Sequence, residues 1–149
     1  VKKFLLALIL LGIVGTAGAV IKSIGSTPFA TGVPNARTLS LATAYQATDV
    51  NHPSVVVINL TSTAAITLGG GQTHSADILI GSTNAVASGT GTIVGKYSNS
   101  STGTVVIGIA MNTASATPVS FVLPAGWFFA VRQTLGTITI TSAFDQSLG

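Results

Sequence analysis

The sequence predicts an all-β sandwich or jelly-roll domain preceded by one N-terminal hydrophobic helix. Three observations predict it. After about residue 36, short runs rich in Val, Ile and Thr alternate with Gly, Pro, Asn and Ser turn signals. Phe4 to Ile21 is an 18-residue stretch without a charge. Charge is scarce throughout: 6% of residues are charged, against about 25% in an ordinary soluble domain.

The apolar stretch follows Lys2 and Lys3. As a helix it rises about 27 Å, close to the hydrocarbon thickness of a bilayer. Phe4, Leu5, Leu8 and Leu11 supply apolar surface for an anchor, and Gly12, Gly15 and Ala19 allow close helix approach. Three fates fit: a signal peptide cut after Ala17-Gly18-Ala19, a retained membrane anchor, or a helix buried within an oligomeric assembly. A retained helix is expected, held in a membrane or a hydrophobic ring through residues 4–21. The organisation expected is an anchor over 1–24, a linker over 25–35 broken by Gly and Pro, and a β-sandwich over 36–149.

Within that domain the expected strands are 38–44, 54–60, 64–68, 76–80, 92–97, 104–111, 119–123, 127–133 and 137–143. Gly69-Gly70-Gly71 and Pro124-Ala125-Gly126 mark turns. The core expected from them comprises Val55, Val57, Ile66, Leu68, Ile78, Ile80, Val105, Ile107, Ile109, Phe121, Leu123, Phe128 and Ile138.

Composition argues against several functions. Lys2, Lys3 and Lys22 flank the apolar stretch, and the remaining Arg37, Lys96 and Arg132 balance Asp49, Asp77 and Asp145. No basic stripe for nucleic acid remains. Ser and Thr, 36 residues together, supply the polar surface, and a nearly neutral surface favours self-association.

No catalytic constellation stands out. His74, Ser75 and Asp77 invite a Ser-His-Asp reading, but in a strand His74 and Asp77 point to opposite faces, and a solvated loop histidine is the simpler expectation. Asp49, Asn51 and His52 suit an Asx turn before Pro53 better than a cation site. Neither a metal nor a cofactor is expected. Gly69-Gly70-Gly71 lacks the Lys-Ser/Thr of a phosphate loop. Asn59-Leu60-Thr61 and Asn99-Ser100-Ser101 fit the glycosylation sequon, a match that Ser/Thr-rich chains produce by chance. Trp127-Phe128-Phe129 forms the aromatic cluster; a fully buried central strand is the simpler expectation, and otherwise one face serves the core and the other a subunit interface or ligand. Tyr97, Trp127, Phe129 and Arg132 are therefore the candidate interface or ligand contacts.

Three stretches carry a resemblance: ARTLSLATAYQA (36–47), TLGGGQT (67–73), and NSSTGTVVIGI (99–109) followed by LPAGW (123–127). They are similar to a family of small β-domain proteins encoded by bacteriophages and prophages. The family implies a virion surface component, tail-associated, head-fibre-like or spike-like, often multimeric and with no catalytic residues. The apolar N-terminus departs from its soluble members. It suggests anchoring in an internal virion membrane or a vertex or portal-like ring.

The function expected is thus a structural, non-enzymatic virion protein that displays a β-domain for host attachment. Its expected partners are copies of itself (a trimer or higher) and other virion proteins. The alternatives are an exported bacterial adhesin or pilus-like subunit, and a carbohydrate-binding module using Tyr97 and Trp127.

Overall fold

The computed structural model describes residues 34–67, 70–102 and 111–149. The expected helix over 1–24, nearly all of the linker, and the core candidates Leu68, Val105, Ile107 and Ile109 lie outside these residues. Among the described residues, no helix is long and apolar enough to cross a membrane.

The described chain is all-β, as expected. Its strands are β1 (Asn35–Arg37), β2 (Tyr45–Gln46), β3 (Ser54–Thr67), β4 (Gly70–Gly71), β5 (Thr73–Gly81), β6 (Thr92–Ser100), β7 (Met111–Leu123), β8 (Phe128–Leu135) and β9 (Thr139–Ser147). A 3-10 turn over Asn84–Ser88 interrupts them. One antiparallel sheet runs β1-β9-β3, with β7 on the far edge of β3 and β4 folded back on its end; the other runs β2-β8-β5-β6. The pairings β1·β9, β2·β8, β3·β7 and β5·β6 are nested. The chain is therefore one long antiparallel ribbon whose tip is the β5–β6 connection. The pairings β9·β3 and β8·β5 roll that ribbon into two sheets.

Strand β3 sets the core. Val56, Ile58, Leu60, Ser62 and Ala64 are buried, and the alternate side chains are not. Beyond residue 58 the odd positions are Asn59, Thr61 and Thr63. A period of two then sends every even position inward. Val55 and Val57, expected in the core, face outward for this reason. Ile78, Leu123 and Ile138 are core residues as expected, with Ile80 and Phe121 partly buried against them. Phe128 instead joins a second cluster, in which Leu79, Val86 and Ala130 are buried beneath the 3-10 turn on the outside of the β2-β8-β5-β6 sheet. Residues 38–44 form no strand.

A buried ion pair ties the ends of the domain together. Asp145 on β9 is 1% exposed. Its Oδ2 accepts from Arg37 on β1 at 2.8 Å and from the Thr48 amide at 2.7 Å, and the Thr48 hydroxyl reaches Oδ1 at 2.9 Å. Arg37 also donates to the Gln46 carbonyl at 2.9 Å. At the other end of the sandwich a polar relay crosses between the sheets. Asn99 donates to the Ser62 hydroxyl (3.1 Å), Ser62 lies 2.8 Å from the Tyr97 hydroxyl, and Tyr97 donates to the Ser115 carbonyl (3.0 Å).

Two stability measurements check this description. In denaturant titrations Ile58→Ala is expected to cost about 2–5 kcal/mol, as large-to-small core changes do, whereas Val57→Thr changes stability by less than about 1 kcal/mol. Arg37→Met leaves a buried carboxylate without its counterion and is expected to cost about 3–5 kcal/mol in the same titration.

Candidate functional site

The four candidate contact residues do not share a surface. Tyr97 and Phe129 are 1% and 0% exposed. Strands β6 and β8 flank β5, and parity turns both rings toward the β1-β9-β3-β7 sheet, where Phe129 packs edge-on against Phe121 of β7 at 5.8 Å between centroids. They are core residues, and a ligand cannot reach them. Trp127 is half-buried against the same core. It follows a turn closed by its own N–H to the Pro124 carbonyl (3.1 Å), in which Gly126 takes φ +72°. Arg132 sits on the outer face of the same β2-β8-β5-β6 sheet, in register with Asp77. Its guanidinium crosses Gly89 at the end of the 3-10 turn, where a Cβ would collide with it. The anchor residues Phe4, Leu5, Leu8, Leu11, Gly12, Gly15 and Ala19 lie outside the described residues.

The histidines differ. His74 is a buried strand residue, not the solvated loop residue expected. Its Nδ1 lies 2.9 Å from the Thr137 amide nitrogen and 2.7 Å from the Thr137 carbonyl oxygen, so the tautomer decides whether it accepts from the first or donates to the second. It borders an open cleft of about 370 Å³ lined by Gln72, Thr73, His74, Leu135, Gly136 and Thr137. Asp77 faces the opposite side of β5, as the period of two requires, and no triad forms with His74.

His52 is an exposed loop residue whose Nδ1 donates to Asp49 Oδ2 at 2.8 Å. The Asn51 amide donates to Asp49 Oδ1 at 3.0 Å, the Asx turn expected before Pro53. Ser147 donates to the same carboxylate at 2.8 Å, and Leu148 N–H reaches the Pro53 carbonyl at 2.8 Å. This loop thus clasps the C-terminal residues. Among the described residues, no three His, Asp, Glu or Cys side chains gather as metal ligands. Of the two sequons, Asn99 is buried against Ser62, and Asn59 lies within β3, donating to Ser142 at 2.8 Å.

What the fold does assemble is a division of charge between its two outer faces. Lys96, Asp77 and Arg132 stand side by side across β6, β5 and β8. The outer face of the β1-β9-β3-β7 sheet carries no charge over the residues described, because Arg37 and Asp145 both point inward. Its centre is Val55, Val57, Val122 and Phe144, and Val122 is 55% exposed. Sequence reasoning missed this face by assigning Val55 and Val57 to the core. The signal was present in the polar odd positions that follow them in β3. No protein-family model, curated protein or solved structure matches the chain.

The clasp has a pH dependence. The His52 ring, the Ser147 hydroxyl and the Asn51 amide, in that order, hold the Asp49 carboxyl down from its ordinary 3.8 to about 2. The folded value is the lower one, so the clasp contributes fully above pH 3.8 and is lost as pH falls through about 2. Protection of the Leu148 amide from hydrogen exchange is expected to fall across that window. In Asp49→Asn that dependence is expected to be absent.

Proposed function

We propose that the chain is a structural, non-enzymatic virion subunit, a spike- or fibre-like protein that displays a self-associating β-domain and is tethered by its apolar N-terminal segment. The observation that carries this reading is the strand order. Nested pairings that place β1-β9-β3-β7 over β2-β8-β5-β6 are the order of a jelly roll, an architecture that viral capsid and lectin domains use. Because one fold hosts many functions, the surface also has to agree. An outer face without charge suits a subunit that meets other subunits. The Ser/Thr-rich composition keeps the rest wettable without net charge. The resemblance of 36–47, 67–73 and 99–109 to phage β-domain proteins points the same way.

A carbohydrate-binding module is the second reading. The cleft beside His74 favours it, since neutral hydrogen-bonding groups there adjoin Leu135, which is 54% exposed. It differs from the sequence expectation in its residues, because Tyr97 is enclosed in the core.

Mass spectrometry of purified particles from cells carrying the gene separates the readings. The virion reading expects this chain among capsid, vertex or tail proteins, with peptides from residues 4–21 retained. Recovery from the medium or envelope without companions of that kind, together with saturable glycan binding, sinks it.

A further inference from the structure

We propose that His74 is a proton-operated latch on the turn between β8 and β9, the turn that forms one wall of the cleft. The inference goes beyond both readings above and rests on neither. Its origin is one atom with two groups competing for it. His74 Nδ1 lies 2.9 Å from the Thr137 amide nitrogen and 2.7 Å from the Thr137 carbonyl oxygen. A ring nitrogen carries either a proton or a lone pair in that plane, so it serves one of these groups at a time. With a lone pair it accepts from the Thr137 N–H, and the proton of the neutral ring sits on Nε2. In the imidazolium both nitrogens carry protons. Nδ1 then donates to the carbonyl, and the Thr137 N–H, aimed at another N–H, has to turn away. Gain of a proton thus exchanges one hydrogen bond for another, and the exchange moves backbone.

The surroundings hold the ring and leave the turn to move. His74 is 8% exposed and belongs to β5. Gly136 takes φ +65°, and a Cβ there would lie 2.7 Å from His74 Cγ, so the turn rests its backbone directly on the ring. Leu135, Gly136 and Thr137 are exposed, so a peptide rotation there disturbs little packing. No charged side chain among the described residues shares this side of β5. From β6 the residue in register is Asn99, with Tyr97 next on the same face and its hydroxyl engaged by Ser62 and the Ser115 carbonyl. The link before β5 offers Gln72, and the turn offers Thr137. Asp77, Lys96 and Arg132 face the outside of this sheet, and Arg37, Asp49, His52 and Asp145 gather at the opposite end of the sandwich. Because Leu135, Gly136 and Thr137 also line the cleft, the latch reshapes the cleft as it adds a positive charge to its wall.

The test is nuclear magnetic resonance on the full chain, labelled with nitrogen-15 and held in mild detergent, between about pH 8 and about pH 5, where histidine side chains gain their charge. The Asp49 clasp responds below pH 3.8, so the two effects separate. At the upper limit Nδ1 of His74 is expected to be unprotonated and Nε2 protonated; at the lower limit both carry protons. Corrected for the intrinsic effect of pH, exchange of the Thr137 amide is expected to rise at least about tenfold at the lower limit, while the paired amides of β3 and β7 stay protected. His74→Asn sets a carboxamide oxygen near the place of Nδ1, where it accepts whatever the pH. In that variant the Thr137 amide is expected to stay protected at both limits, with the amide spectrum showing that the domain is folded. The wild-type measurement decides even where the variant does not fold. An Nδ1 already protonated at the upper limit overturns the proposal, as does a ring still neutral at the lower one. So does a Thr137 amide equally protected in both charge states. Acid-induced exposure of that amide in His74→Asn as well would trace the effect to general loosening and sink the latch.

Discussion

The fold depends on a carboxylate that water cannot reach. Asp145 sits inside the domain on β9, the return strand of the ribbon, and a bare charge there would be costly. Arg37 and Thr48 make it tolerable by supplying a guanidinium, an amide and a hydroxyl. Those donors come from the start of the domain, and the acceptor comes from its end. Satisfying one side chain therefore requires that β1 and the segment before β3 both lie against β9. Replacing the pair with apolar groups of similar volume would remove a desolvation cost, but it would also remove the reason for this particular docking.

The opposite end of the sandwich uses hydrogen bonds where this end uses charge. Ser62, Tyr97 and Asn99 occupy positions that parity turns inward, and the Ser62 hydroxyl, the Tyr97 hydroxyl and the Asn99 amide nitrogen each find a partner across the sheets. A neutral relay of this kind constrains which residues face one another, because a one-residue slip would strand the hydroxyls in apolar surroundings. Charge and hydrogen bonding thus hold the two ends in register while Ile58, Leu60, Ile78 and Phe129 fill the middle.

Much of the β architecture was legible in local pattern. The runs around 54–60, 76–80, 92–97 and 127–133 became strands because β-branched and aromatic residues between turn formers rarely do otherwise. The harder question was which face of each run is inside. In Ser54-Val55-Val56-Val57-Ile58 every residue is equally apolar after the first, so the run alone is silent. Only the Asn-Leu-Thr-Ser-Thr-Ala continuation settles it. Residues 38–44 look strand-like locally, yet their place is decided by the distant demand of Asp145 for Thr48 and by the Ala42 amide bonding to Val131. His74 and the small cluster beneath the 3-10 turn belong to the same class, since tertiary neighbours determine them and neighbours in sequence do not. The uncharged outer face became visible only once parity was known.

The nested pairing has a consequence for the birth of the protein. Strand β9 lies between β1 and β3, so the first sheet has a gap until β9 has been made. During synthesis β3 can find β7, and β5 can find β6, but among the described residues β1 has no neighbour until β9 has emerged. Long-range closure of that kind is slow. For that interval the incomplete sheet presents bare edges, the hallmark of aggregation-prone nascent chains. Removal of β9 alone would leave the domain permanently ajar, because both β1 and β3 pair with it.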